Sequence, residues 1–146
     1  TAADFRGKVV LLYFGYTLCP DFCPTTLSNL AAVLQKLGKQ ADQVRVLFVT
    51  VDPPRDSLPV LKRYAGLFAP QVVGLRGTPD EVKRIETAVN VAPAVPGVPD
   101  SSGAYEVGHA AQVIAFTRDD SAHVVYPWGT RQADWAHDLP LLVRVK

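Results

Sequence analysis

At 146 residues the chain is expected to form one domain, spanning residues 1–146, and a chain of this size buries roughly 68–70% of its unfolded surface, so its core needs no disulfide staple. With 48% hydrophobic and 20% charged residues and a formal net charge of +1, it carries no dominant field of either sign, which argues against nucleic acid as a principal partner. No apolar run reaches the roughly 18 residues that a membrane-spanning helix needs, and the start at Thr1 without a methionine leads us to expect an upstream signal or anchor.

The first regular element in chain order is a strand from Lys8 to Phe14, whose β-branched and aromatic run suits a buried central position. Leu27, Leu30, Val33, Leu34 and Leu37 recur at helical spacing and predict a helix from Pro24 to Gly38. A second buried strand, Val44 to Val51, completes a βαβ unit and ends at Asp52-Pro53-Pro54. A helix is predicted over Leu58 to Phe68, capped by Asp56 or Ser57, followed by a short strand at Val72 to Leu75. Thr78-Pro79-Asp80-Glu81 combines a cap, a proline at the first helical position and two early acids, and starts a helix running to about Val89.

Asn90 to Gly108 is broken by Pro93, Pro96, Gly97, Pro99 and Gly103, and reads as a long loop with room for a small hairpin. Gln112 to Thr117 and His123 to Tyr126 form an antiparallel pair around Arg118-Asp119-Asp120-Ser121. A helix from about Arg131 to Val143 closes the chain, with Pro140 expected to kink or end it. The fold class expected is α/β and thioredoxin-like: a central mixed sheet flanked by helices, with an inserted helix and a long loop before the strand that carries His109.

Cys19 and Cys23 are the only cysteines, and they lie in Cys19-Pro20-Asp21-Phe22-Cys23-Pro24, where the first strand turns into the first helix. Ligands of open α/β proteins gather at that edge of the sheet. The spacing is C-x3-C and not the C-x-x-C of disulfide oxidoreductases. The helix dipole beside Cys23 is expected to favour a reactive thiolate. Two thiolates make a soft pair that suits linear Cu(I), whereas Cu(II) or zinc wants a further ligand. Of His109, His123 and His137, only His109 is expected to face the cysteines, because it enters the strand beside the first one; as a lone histidine at a strand start it also suits an ordinary hydrogen-bonded structural role. Asp21 suits a hydrogen bond to a turn amide, weak ligation or a partner contact, and Asp52 lies on the same sheet edge as loop punctuation or part of the site. Methionine is absent, which excludes a blue-copper centre with an axial thioether.

Gly7-Lys8-Val9-Val10, Tyr13-Phe14-Gly15-Tyr16-Thr17, the Cys-Pro-Asp-Phe-Cys-Pro run, Val51-Asp52-Pro53-Pro54-Arg55-Asp56 and a histidine after the long loop together resemble the Sco (SenC) proteins, copper carriers that assist assembly of the CuA centre of cytochrome c oxidase. The resemblance covers nearly the whole chain. It implies copper ligation by Cys19, Cys23 and His109, with Asp52, Arg55 and Asp56 falling on the family's acidic motif; Asp21 and Asp52 are the candidates for an outer layer of contacts around the metal. It further implies delivery of copper, as Cu(I) or Cu(II), to the apo CuA subunit, supply from another copper chaperone or a thiol reductant, and an extracytoplasmic place as a monomer anchored through an N-terminal segment. Relatives usually carry Asp-His-Ser where this chain has Gly108-His109-Ala110, so an outer carboxylate for the imidazole is missing here.

Two other readings compete. A thiol–disulfide oxidoreductase that keeps the acceptor's cysteines reduced would use Cys19 and Cys23 as a redox pair, but the longer spacing and the absence of a proline before the His109 strand oppose it. A thiol peroxidase fits less well, since Tyr16 stands where a Thr or Ser would precede the reactive cysteine. Zinc is the alternative metal.

Overall fold

The computed structural model describes residues 1–146, the side chain of Ala2 excepted. Its elements are β1 (Val9–Gly15), α1 (Phe22–Leu37), β2 (Val44–Thr50), α2 (Leu58–Gly66), β3 (Val72–Leu75), α3 (Pro79–Ala88), β4 (Val95–Pro96), β5 (Val107–Gly108), β6 (Val113–Phe116), β7 (Ala122–Tyr126) and α4 (Gln132–Leu142). Two 3-10 turns that the sequence reading did not foresee, Ala2–Phe5 and Gly38–Gln43, precede β1 and β2.

The apolar run of β1 takes the central place in a five-stranded mixed sheet of order β3-β2-β1-β6-β7. β1 pairs in parallel with β2, Val9 opposite Val44 through Gly15 opposite Thr50. On its other side it pairs antiparallel with β6, Val10 opposite Phe116 and Tyr13 opposite Val113. Because both faces of β1 are covered, with every residue but Val10 buried, it reads as a continuous hydrophobic run and not as an alternating one.

Helix α1 buries Leu27, Leu30, Val33 and Leu34, the stripe that its periodicity predicts, and packs against α4, which contributes Trp135 and Leu139. The helix starts at Phe22, two residues before Pro24, so Cys23 lies inside its first turn. Proline is tolerated there because first-turn N–H groups have no partner within the helix. Ser57 and not Asp56 caps α2, its side chain accepting from Val60 N–H. Thr78 and Glu81 close a reciprocal capping box at α3, as their spacing predicts. Pro140 does not end α4 at once: the helix continues for two more residues to Leu142, since a proline this close to the end removes one of the last backbone bonds only.

The irregular segment before His109 contains the small hairpin: β4 and β5 pair antiparallel, Val95 opposite Gly108 and Pro96 opposite Val107. Each strand is two residues long, too short to be stable alone. Its placement therefore depends on anchors from the rest of the molecule.

Candidate metal centre

The parallel strands β1 and β2 end together, and a backbone bond from Val51 N–H to the Gly15 carbonyl, 2.8 Å, carries the pairing one step past β2. The chain then turns over Tyr16 to Cys19, closed by Cys19 N–H to the Tyr16 carbonyl at 3.1 Å. Asp56 fastens this turn to β2. Its fully buried carboxylate accepts from Thr17 N–H at 3.0 Å, from the Thr17 hydroxyl at 2.5 Å and from the Thr50 hydroxyl at 2.6 Å. A buried carboxylate is tolerable only when donors surround it, and here those donors belong to the two strand ends that carry the cysteine turn.

On that frame the Cys19 and Cys23 sulfurs and His109 converge, with one ligand atom from each residue lying within 4.8 Å of the others. His109 Nε2 is 3.7 Å from Cys23 Sγ and 4.0 Å from Cys19 Sγ, and both thiols are free. The other ring nitrogen, Nδ1, lies 2.9 Å from the Ala110 carbonyl. A carbonyl only accepts, so the proton is assigned to Nδ1 and the Nε2 lone pair faces the sulfurs. Burial holds the His109 pKa below the ordinary imidazole range, which keeps the ring neutral. The backbone of Ala110 thus fills the orienting role that a preceding carboxylate would serve. Gly108 has room for a side chain, since a Cβ there would meet only the Val95 carbonyl oxygen at 3.6 Å.

Gly15 is required by close approach. A Cβ at that position would lie 2.5 Å from Cys23 Sγ and 2.6 Å from Phe48 Cε2. The Tyr16 ring meets the imidazole edge-on at 5.7 Å, and the Tyr13 ring does so at 6.5 Å. These aromatic walls make the site water-poor on its inner side.

The expectation of a thiolate at Cys23 fails for this reason. Cys23 is fully buried, and burial pushes its thiol up to about 12, with the neighbouring Cys19 sulfur adding to the rise. Desolvation of the charged form outweighs the favourable end of the helix dipole. In the metal-free protein Cys23 is expected to be a neutral thiol at pH 7, alkylated by iodoacetamide at least about a hundredfold more slowly than in the urea-unfolded chain. Equal rates would show the burial to be wrong. The sign for stability follows: the unfolded chain loses this proton first, so the contribution of Cys23 is full below the ordinary thiol range and is lost as pH rises towards about 12.

The remaining candidates lie outside this donor cluster. Asp21 is exposed at the start of α1 and accepts from the Thr25 hydroxyl at 3.2 Å. Asp52 is buried and engages Arg55 and the Tyr105 hydroxyl. His123 pairs with Asp119 at 2.9 Å and His137 with Asp138 at 2.8 Å, both on exposed surface. Sequence reading missed Tyr16 as a wall of the site and Tyr105 altogether. The only signal for Tyr105 is that it is the one aromatic in the irregular segment from Asn90 to Gly108. It also missed the exposed aromatic pair in which Phe22 meets Trp128 edge-on at 5.0 Å.

Comparison with known proteins gives one consistent result. The family model described as SCO1/SenC matches residues 1–144. The mitochondrial SCO2 homolog of Danio rerio is 41% identical over 128 residues, 86% of this chain but 45% of that protein, so the chain spans less than half the length of this relative. Among solved structures, copper-bound ScoI of Bradyrhizobium japonicum is 34% identical with a TM-score of 0.83, covering 96% of this chain and 88% of that one. The apo Sco1 protein of Thermus thermophilus is 36% identical with a TM-score of 0.85, covering 96% of this chain and 82% of that one.

Proposed function

The chain belongs to the SCO1/SenC family, and from that premise we propose that residues 1–146 form one thioredoxin-like domain that carries copper on Cys19, Cys23 and His109 and passes it to the apo CuA subunit of cytochrome c oxidase. The observation that carries this reading is the convergence of two sulfurs and one imidazole nitrogen within 4.8 Å at the end of β1. Two soft donors and one borderline donor favour copper over hard cations such as magnesium or calcium. The relative with copper bound supports copper over zinc.

The donor set divides into a rigid part and a movable one. Cys19 and Cys23 sit on a turn fastened by Asp56, whereas His109 sits at the foot of the β4–β5 hairpin. Withdrawal of His109 leaves a weaker two-sulfur site, from which an acceptor's thiolates can take the metal by ligand exchange. No described helix is long and apolar enough to cross a membrane. An extracytoplasmic position on an N-terminal anchor is part of this proposal, as is supply by another copper chaperone or a thiol reductant.

The test is transfer. A mixture of Cu(I)-loaded and Cu(II)-loaded protein, one copper of each kind per reduced apo CuA domain, should lose its thiolate-to-Cu(II) absorption as the purple mixed-valence CuA spectrum grows in. Binding of zinc in preference to copper, or copper that stays put, would defeat the carrier reading. The two free, adjacent cysteines also keep a redox reading in play, in which they reduce a disulfide of the acceptor. Failure to exchange with an oxidised CuA domain would remove it.

A further inference from the structure

We propose that Arg55, Asp52 and Tyr105 form a clamp that positions His109 against the two sulfurs and so governs how fast the site releases its metal. The release half of this proposal rests on the carrier reading above; the clamp itself does not.

Tyr105 is held at three points. Its hydroxyl donates to Asp52 Oδ1 at 2.9 Å, its carbonyl accepts from Arg55 Nη2 at 2.9 Å, and the Arg55 guanidinium lies over its ring, 3.6 Å from the centroid. The guanidinium is in turn paired through Nε to Asp52 Oδ2. Asp52 is 3% exposed, and its carbonyl accepts from the N–H groups of both Arg55 and Asp56, so the base of the clamp belongs to the fixed edge of the sheet. The chain leaving Tyr105 is caught again where Val107 N–H donates to the Tyr16 hydroxyl at 3.2 Å, and the same Tyr16 ring abuts the His109 imidazole.

Three considerations assign these contacts to positioning. A buried ion pair adds little net stability over an apolar filling of the same shape, so stability is a poor account of this one. The two-residue strands of the hairpin cannot hold themselves in place. The segment's other anchors lie at its two ends: at the root, Glu86 accepts from Ala94 N–H through its buried carboxylate at 3.1 and 3.2 Å and from Val91 N–H through its carbonyl at 2.9 Å, and beyond Tyr105, Val107 is buried in the core. Between that root and His109, the clamp joins the hairpin arm to the edge that carries the cysteines. Its chemistry is also adjustable, because a charged, hydrogen-bonded contact at an edge 23% exposed on the Arg55 side can be opened by competing polar groups, as apolar packing cannot.

The experiment uses two variants. Tyr105→Phe keeps the ring under Arg55 and removes the bond to Asp52; Arg55→Lys keeps the charge and removes the planar fork. In the metal-free protein, amide hydrogen exchange at Val107 should accelerate at least about tenfold in both while exchange in β1 stays at its wild-type rate. In protein loaded with copper(II), transfer to a chelator should be about 10–100-fold faster, the range that changes in residues supporting a metal ligand produce, and the nitrogen hyperfine coupling of the bound imidazole should weaken. Exchange at the amides of β2 should also stay at its wild-type rate, which a general loosening of the fold would not allow. Unchanged exchange at Val107 overturns the clamp, and faster exchange with wild-type copper release overturns its control of the metal. If Arg55→Lys fails to fold, Tyr105→Phe decides alone. Should the wild-type protein bind no copper, the carrier reading fails separately, and the Val107 measurement still judges the clamp.

Discussion

Serine at Cys23 is expected to abolish tight binding of copper in both oxidation states, whereas alanine at His109 should abolish it for Cu(II) and largely spare Cu(I). The asymmetry follows from the donors. Two sulfurs satisfy linear Cu(I), but Cu(II) requires the third ligand that only the Nε2 of His109 supplies within the cluster. Loss of a directly bound sulfur should lower affinity by more than the roughly 100-fold upper range seen for changes in supporting residues. Cys19→Ser should behave as Cys23→Ser does. Anaerobic titrations against a competing chelator measure all three, followed through the thiolate-to-copper absorption for Cu(II) and through the chelator's own Cu(I) complex for Cu(I). Because Cys23 is fully buried, its serine variant also leaves a hydroxyl in apolar surroundings at a cost of about 1–3 kcal/mol, so each variant's unfolding curve must accompany its titration. Wild-type Cu(II) affinity in the His109→Ala protein would rule out the imidazole as a ligand.

Asp56→Ala is expected to be the most destabilising single change at the site, costing about 3 kcal/mol or more. Its carboxylate serves Thr17 N–H and the hydroxyls of Thr17 and Thr50, and each buried donor left without a partner costs about 1–3 kcal/mol. Domain stabilities are typically about 5–15 kcal/mol, so the loss removes a large share. Asp56→Asn retains the shape and one acceptor oxygen and should cost less. Urea unfolding of the two variants gives the comparison directly. A loss under about 1 kcal/mol for alanine would mean that water replaces the carboxylate, and that the cysteine turn does not depend on it.

The βαβ unit was legible because its strands are buried on both faces and its helix on one, two patterns that differ plainly in Val9–Gly15 and Phe22–Leu37. The placement of His109 was legible for a topological reason. Once β6 pairs with β1, Tyr13 opposite Val113, the residues just before Val113 must lie over the end of β1 where the cysteines begin. The state of Cys23 was not legible, since a dipole argument needs only the helix start while desolvation depends on how α1 seats the sulfur on the sheet, beside Gly15 and the paired residues Tyr13 and Phe48 of β1 and β2. Nor was the contact between Tyr105 and Arg55. A proline-rich loop has no period to say where it folds back, and the motif around Asp52 reads as punctuation until its partner across the chain is known.

The sheet order has a consequence for biosynthesis. The two cysteines are made early and lie beside β2, a close neighbour in sequence, but the imidazole arrives with β6, and β6 reaches its place against β1 only after most of the polypeptide has emerged. A nascent or half-assembled chain therefore offers any passing ion a bare dithiol and never the full trio. Occupancy by a three-donor ion would in this sense report that β6 has docked on β1, and would join Cys19 to a residue 90 positions further along the chain.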